Sequence, residues 1–308
     1  MDEGEKINIY GTRAFTSKFM PLVEQNHSIR YDYDRFLIMR IEEMYPYTNH
    51  RVPPTRSLND IILFITDGEA QMNIGTESYL AVKHNILHIP SGQIFSFEKY
   101  DTSKSTNGFL IIFSKGILSG DYDNAGILSA SGLLDFAGPP LISLEQESSS
   151  FAAQLLERIF KENNENGLTR LEIIRSYFLA FILEIRKESS GDTVLKKSAS
   201  IKLVKDFINL VTLHVKKKKQ VSDYALLLHI SPNHLSKVMK KFTNKSPTKW
   251  IDEALILEAK VLLFQTNMSI NEISFSLGVF DPSYFSRLFK RYEGISPLSF
   301  RNEIRKIN

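Results

Sequence analysis

Asp281-Pro-Ser-Tyr-Phe-Ser-Arg-Leu-Phe-Lys-Arg-Tyr292 repeats a pattern used once before, at Ser231-Pro-Asn-His-Leu-Ser-Lys-Val-Met-Lys-Lys-Phe242. Each copy opens on a helix-capping residue, Ser231 or Asp281, whose side-chain oxygen accepts from free N–H groups of the first turn. Proline follows at the first helical position, where a missing N–H costs nothing. Leu235, Val238, Met239 and Phe242 recur at i, i+3, i+4 and i+7, and Phe285, Leu288, Phe289 and Tyr292 match them one for one. That spacing turns one apolar face toward a core, so these residues carry packing and no ligand role.

The likeness extends in both directions. Val221-Ser-Asp-Tyr-Ala-Leu-Leu-Leu-His-Ile230 aligns with Ile270-Asn-Glu-Ile-Ser-Phe-Ser-Leu-Gly-Val279, each reading as a short helix before the capped one. The second copy has one extra residue in the turn. Downstream both copies reach Ser-Pro-x-x-aromatic, at Ser246-Pro247…Trp250 and Ser296-Pro297…Phe300. The pattern is a duplicated helix-turn-helix, with units at about 220–243 and 269–293.

The face opposite the core is the informative one. At about 100° per residue, Asn233, Ser236, Lys237, Lys240 and Lys241 point outward in the first unit. Ser283, Ser286, Arg287, Lys290 and Arg291 do so in the second. Small polar residues at the start of a capped helix suit base edges in the major groove, and cations further along suit phosphates. Arg287 has the chemistry to take guanine O6 and N7 together, and Asn233 to take adenine. A solvated polar face is the competing reading of one copy. Two copies with matched caps, cores and cations weigh against it. Residues 248–265 between the units read as one helix of roughly 27 Å, close to the 34 Å or so of one DNA turn. The run Lys216-Lys-Lys-Lys219 reads either as a solvated loop or as a sequence-independent phosphate contact.

Charge agrees with this assignment. The formal net charge of +3 conceals a split: residues 196–308 hold 20 Lys and Arg against 9 Asp and Glu, a net +11, so residues 1–195 carry −8. A basic segment on an acidic body fits a nucleic-acid partner.

Ile273-Ser-Phe-Ser-Leu-Gly-Val-Phe-Asp-Pro-Ser-Tyr-Phe-Ser-Arg-Leu-Phe-Lys-Arg-Tyr-Glu-Gly-Ile-Ser-Pro-Leu-Ser-Phe-Arg301 resembles the signature of the AraC/XylS family of bacterial transcription regulators, and the likeness spans about residues 201–301. Three positions depart from the family pattern. Asn244 stands where glycine usually follows the first recognition helix, Ser274 replaces a usual alanine, and Ile256 stands where a basic connector residue commonly contacts phosphate. The resemblance implies a cytoplasmic activator that binds double-stranded promoter DNA as a homodimer and works with RNA polymerase. It also implies an N-terminal cupin-like domain that binds a small-molecule effector or dimerises. The alternative is an N-terminal domain that binds a protein partner and no metabolite.

The rest of the chain is compatible with that layout. Residues 33–114 hold short β-rich runs, Arg35-Phe-Leu-Ile-Met-Arg-Ile41, Ile61-Ile-Leu-Phe-Ile65 and Asn107-Gly-Phe-Leu-Ile-Ile-Phe113. Turn signals at Asp67-Gly68, Asn73-Ile74-Gly75 and Pro90-Ser91-Gly92 separate them, as in an antiparallel sandwich or small barrel. Val52-Pro53-Pro54 reads as an extended loop. Helices are expected at 148–163, with Phe151, Leu155, Ile159 and Phe160 on one stripe, and at 168–188. The second helix's wide apolar stripe suits either the β-domain or a dimer interface. The polar stretch 188–193 reads as a linker. The expected fold is α+β: a cupin-like antiparallel β-barrel with flanking helices over residues 1–192, then an all-α domain over 193–308 with two helix-turn-helix units joined by a long helix.

Several classes are excluded. The chain has no cysteine, which removes disulfides, thiolate zinc sites and thiol nucleophiles. The acidic start Met1-Asp2-Glu3-Gly4-Glu5-Lys6 lacks the apolar run of a secretory signal, and no apolar run approaches the 20 or so residues that span a bilayer. Neither Gly-x-Ser-x-Gly nor a phosphate-binding glycine loop is present, so no enzyme is expected. His84 and His88 are spaced i, i+4, which one strand cannot aim at a common ion; no metal or other cofactor is expected. Phe36, Ile38 and Arg40 share one strand face. Arg40 is therefore either a contact for an anionic or polyol effector or, with more weight, a paired structural arginine.

Overall fold

The computed structural model describes residues 9–19, 35–44, 52–97, 106–117, 140–189 and 199–306. They fall into two compact units, one within residues 9–191 and one within 192–308. Beyond Ser189 the expected linker lies outside the described residues, as does the acidic start of the chain.

The first unit begins with β1 (Ile9–Tyr10) and α1 (Thr12–Phe19), then β2 (Phe36–Arg40), the single turn α2 (Ile41–Met44), β3 (Val52–Ser57), β4 (Asp60–Asp67), β5 (Glu69–Ile74) and β6 (Glu77–Val82). After these come β7 (Asn85–Ile89), β8 (Ile94–Phe97), β9 (Asn107–Phe113) and β10 (Leu141–Ser143). The strands make two five-stranded sheets, ordered β1-β3-β8-β5-β6 and β10-β7-β4-β9-β2. Described pairings are antiparallel except β1 with β3, which is parallel.

The three continuous apolar runs are neighbours: β9 pairs with both β2 and β4, so that Ile111 lies opposite Ile38 and Ile62. One face of this sheet, including Phe36, Ile38, Ile62, Phe64, Ile111 and Phe113, packs against α3 (Gln146–Asn166) and α4 (Leu171–Ser189) through Ile159, Ile174, Phe178 and Ile182. The other face carries Leu37, Met39, Ile61, Leu63, Leu110 and Ile112, also buried. A sheet covered on both sides needs apolar residues at every position, which is why its strands read as unbroken runs. In β6 burial alternates instead.

Two details differ from the sequence reading. Val52-Pro53-Pro54 is not a loop but the start of β3. The register with β8 slips between Val52 and Thr55, so the prolines stand where the ladder needs no N–H. In α3 Ile159 is buried as expected, with Leu155 and Phe160 partly buried against the same core, but Ala152 and Leu156 complete the buried stripe and Phe151 is 47% exposed. The α4 stripe does face the sheet, with Leu171, Ile174, Phe178, Phe181, Ile182 and Ile185 all buried.

The second unit is helical: α5 (Ala199–His214), α6 (Val221–Leu227), α7 (Pro232–Thr243), α8 (Pro247–Gln265), α9 (Ile270–Ser276), α10 (Pro282–Glu293) and α11 (Pro297–Lys306). One buried cluster runs through both repeats. Tyr224, Leu235 and Met239 come from the first, Ile273, Phe285, Leu288 and Phe289 from the second, Phe207 from α5, and Ile251, Leu255, Ile256, Leu262 and Leu263 from α8. Helix α8 packs on α5, α7, α9, α10 and α11, so it is a shared spine and not a free-standing spacer. Ile256, the position where a basic residue is common, faces this core at 2% exposure and presents nothing to a phosphate. Trp250 sits on the first turn of α8, its Nε1 donating to Thr243 Oγ1 at 3.1 Å with Lys245 Nζ 5.0 Å from the ring centroid.

Candidate DNA interface

The two recognition helices, α7 and α10, are built alike from their caps outward. Ser231 Oγ accepts from the His234 N–H at 3.2 Å. Asp281 Oδ1 accepts from the Ser283 and Tyr284 N–H groups at 2.9 and 3.0 Å. Proline occupies the first turn of both, and both end on a left-handed residue, Asn244 at φ 54 and Gly294 at φ 78. Asn244 thus does the work of the usual glycine, since asparagine tolerates that conformation. The preceding helices α6 and α9 each carry a capping box, Gln220 with Asp223 and Ser269 with Glu272. The Ser269 hydroxyl and N–H hold the Glu272 carboxyl below its ordinary range.

Leu235, Val238 and Met239 face the core in α7, as do Phe285, Leu288 and Phe289 in α10. Asn233, Lys237, Lys240 and Lys241 are exposed and Ser236 is half-buried. Ser283, Arg287, Lys290 and Arg291 are exposed and Ser286 is half-buried. The structure therefore brings the ten residues singled out from sequence onto two matched outer faces.

The fourth core position is where the copies part. Phe242 does not complete the apolar face as expected but is 42% exposed. Tyr292, its counterpart, is half-buried and donates from Oη to Asp252 Oδ2 of α8 at 2.9 Å. Burial raises the Tyr292 hydroxyl above its usual pKa, helped by the Asp252 carboxylate beside it.

Charge pairing separates this face from the rest of the unit. Lys216 pairs with the buried Glu258 at 3.2 Å, Lys245 and Lys249 with Glu253 at 3.0 and 3.8 Å, and Lys260 with Glu293 at 3.0 Å. Among the described residues Lys237, Lys240, Lys241, Arg287 and Lys290 have no carboxylate at ion-pair distance. Those four lysines are neutralised within the fold, while the five cations of α7 and α10 are left for an outside anion. The lysine run is partly structural. Besides the Lys216 pair, Lys219 Nζ donates to the Lys216 carbonyl at 3.0 Å, and burial pushes its pKa down. The Lys218 carbonyl accepts from Tyr224 Oη at 2.7 Å.

Sequence reasoning passed over the turns. His229 and Gly278 occupy equivalent places and both are left-handed, at φ 55 and φ 68. Gly278 is also sterically required: a Cβ there would lie 2.6 Å from the Lys216 carbonyl oxygen. The extra residue of the second turn, Phe280, is 83% exposed.

In the first unit, Arg40 is heavily engaged. It pairs with Glu157 and, at 3.5 Å, with Glu42. Its guanidinium lies 5.0 and 5.2 Å from the Phe109 and Phe160 ring centroids. These are the contacts of the structural arginine. His84 Nδ1 lies 2.7 Å from Ser149 Oγ, and buried His88 Nε2 lies 3.0 Å from Asp60 Oδ1. Among the described residues no group of three or more His, Cys, Asp or Glu is placed to hold a metal ion.

Residues 224–303 match the family described as "Helix-turn-helix domain". The chain is 31% identical over 153 residues to the uncharacterized HTH-type transcriptional regulator YisR of Bacillus subtilis, spanning 49% of this chain and 51% of that protein. It is 26% identical over 271 residues to the Msm operon regulatory protein of Streptococcus mutans, spanning 82% and 87%. It is 38% identical over 72 residues to the arabinose operon regulatory protein of Escherichia coli, spanning 23% and 25%. Alignment thus covers about half the length of the first relative and a quarter of the third. The duplicated caps, the shared spine and these relatives agree: the chain carries a C-terminal helix-turn-helix domain similar to those of AraC-type transcription regulators.

Proposed function

We propose that this chain is a sequence-specific regulator that lays α7 and α10 into two successive major grooves of promoter DNA. The observation that carries the reading is the pair of outer faces whose Lys237, Lys240, Lys241, Arg287 and Lys290 have no carboxylate at ion-pair distance, while Lys216, Lys245, Lys249 and Lys260 of the same unit are ion-paired. Its small polar residues at the helix starts suit base edges, and Arg287 suits guanine. The shared core along α8 supports simultaneous engagement, because it fixes the separation of the two helices. On this reading the chain acts as a dimeric activator working with RNA polymerase, and the N-terminal unit, with its doubly covered sheet, supplies control through a small effector.

The test is a gel-shift and footprint of the full chain across genomic fragments at several salt concentrations. The expected result is a protected site with two segments one helical turn apart, and affinity that falls steeply with salt. Equal affinity for all sequences overturns the reading. A thermal-shift screen of metabolites tests the control: a ligand-specific rise in Tm supports an effector, and its absence turns the N-terminal unit toward a protein partner.

A further inference from the structure

We propose that Phe280 is a base-reading residue of the second unit, whose ring contacts the 5-methyl group of a thymine at the edge of the α10 site. The inference rests on the DNA-binding reading above.

A residue one before a helix cap ordinarily folds back onto the fourth helical residue, apolar against apolar. The first unit follows this rule: Ile230 precedes the cap Ser231 and packs on the core that holds Leu235. The second turn is one residue longer. Val279 takes the core place, buried beside Phe285, and Phe280 is displaced outward to 83% exposure. Among the described residues its one ring neighbour is Phe275, 6.5 Å away between centroids and itself half exposed. Exposing a phenylalanine forfeits the stabilisation its burial gives, so an external apolar partner has something to gain.

Position decides the partner. Phe280 is joined directly to Asp281, whose carboxylate caps the Ser283 and Tyr284 N–H groups. It therefore stands at the end of α10 that presents Ser283 and, one turn on, Arg287. In the major groove the apolar feature of a base edge is the thymine methyl, and phenylalanine is among the side chains that pack on it. A protein surface competing for the same ring would have to approach the helix end that the groove covers.

The experiment uses the full chain and the duplex found by footprinting. Each thymine of the second segment is replaced singly by deoxyuridine, which removes the methyl and leaves base pairing intact. Wild type is expected to bind one substituted duplex about fourfold more weakly, the worth of one buried methyl group. Phe280→Ser should bind the native duplex at that lower level and be indifferent to the same substitution. Its Tm should stay near wild type, because the ring is outside the core. Retained site-specific binding with no uracil-sensitive thymine, or with Phe280→Ser keeping the wild-type sensitivity, overturns the inference while leaving the DNA-binding reading intact. Loss of sequence preference in wild type itself overturns both.

Discussion

Tyr292 of α10 and Asp252 of α8 are joined by a 2.9 Å hydrogen bond that has no counterpart at Phe242 in the first repeat. The bond locks the second recognition helix to the spine. Tyr292→Phe should cost about 0.5–1.5 kcal/mol, the usual net worth of one such bond, read by denaturant unfolding. The acidic partner has its own signature. Burial raises the Asp252 carboxyl above its ordinary pKa, against the opposing pull of the Tyr292 bond and Arg291. An acid raised on folding holds more protons folded than unfolded. Its contribution to stability therefore falls as pH rises from the unfolded value to the folded one, and is flat above. Asp252→Asn keeps an acceptor for Tyr292 and removes the charge. Melting curves across that acidic range should lose this slope, with Tm at neutral pH raised or unchanged; a lower neutral Tm counts against the account.

The caps are matched in place but not in number of bonds. Asp281 accepts two N–H groups where Ser231 accepts one. Alanine at either position should cost about 0.5–2 kcal/mol, with Asp281→Ala the larger loss. Paired urea titrations of the two variants give the comparison.

His229 and Gly278 should answer oppositely to exchange of the side chain. Gly278→Ala puts a Cβ at positive φ and within 2.6 Å of the Lys216 carbonyl oxygen. It should destabilise by at least 1 kcal/mol or so. His229→Gly relieves a left-handed histidine at φ 55 and should be neutral or stabilising by up to about 1 kcal/mol. Thermal melts suffice, and a stabilised Gly278→Ala contradicts the close approach drawn here.

Arg287 and Lys290 are both exposed cations on α10, yet their substitutions should differ in kind. Arg287→Ala should weaken the native site by about 1–3 kcal/mol and relax preference at one base pair. Lys290→Ala should weaken all sequences alike and reduce the slope of log affinity against log salt by about one. Binding titrations at three salt concentrations on native and point-mutated duplexes separate the two.

The duplicated domain was legible because capping, periodicity and charge agree at each position. Ser231 and Asp281 cap, Leu235 and Phe285 are buried, and Lys237 and Arg287 are exposed. Phe242 misled because helical spacing gives a direction and not the neighbour waiting there: α8 offers Asp252 to Tyr292, while Phe242 remains 42% exposed. In the β-unit, β2, β4 and β9 announced themselves through runs that are buried on both faces. Strand β3 did not, since Pro53 and Pro54 look like loop until the register slip with β8 is seen. The Lys216–Lys219 run looked like surface because its main partner, Glu258, is distant in sequence.

Trp250 is the only tryptophan in the chain, and the fold has set it where α7 hands over to α8, hydrogen-bonded to Thr243. The protein therefore carries a built-in optical reporter at a single address. Indole emission reads the junction of the first recognition helix with the spine and is silent on the β-unit. Compared with far-ultraviolet dichroism, which sees every element, it dissects the order in which the two units melt without any label being introduced.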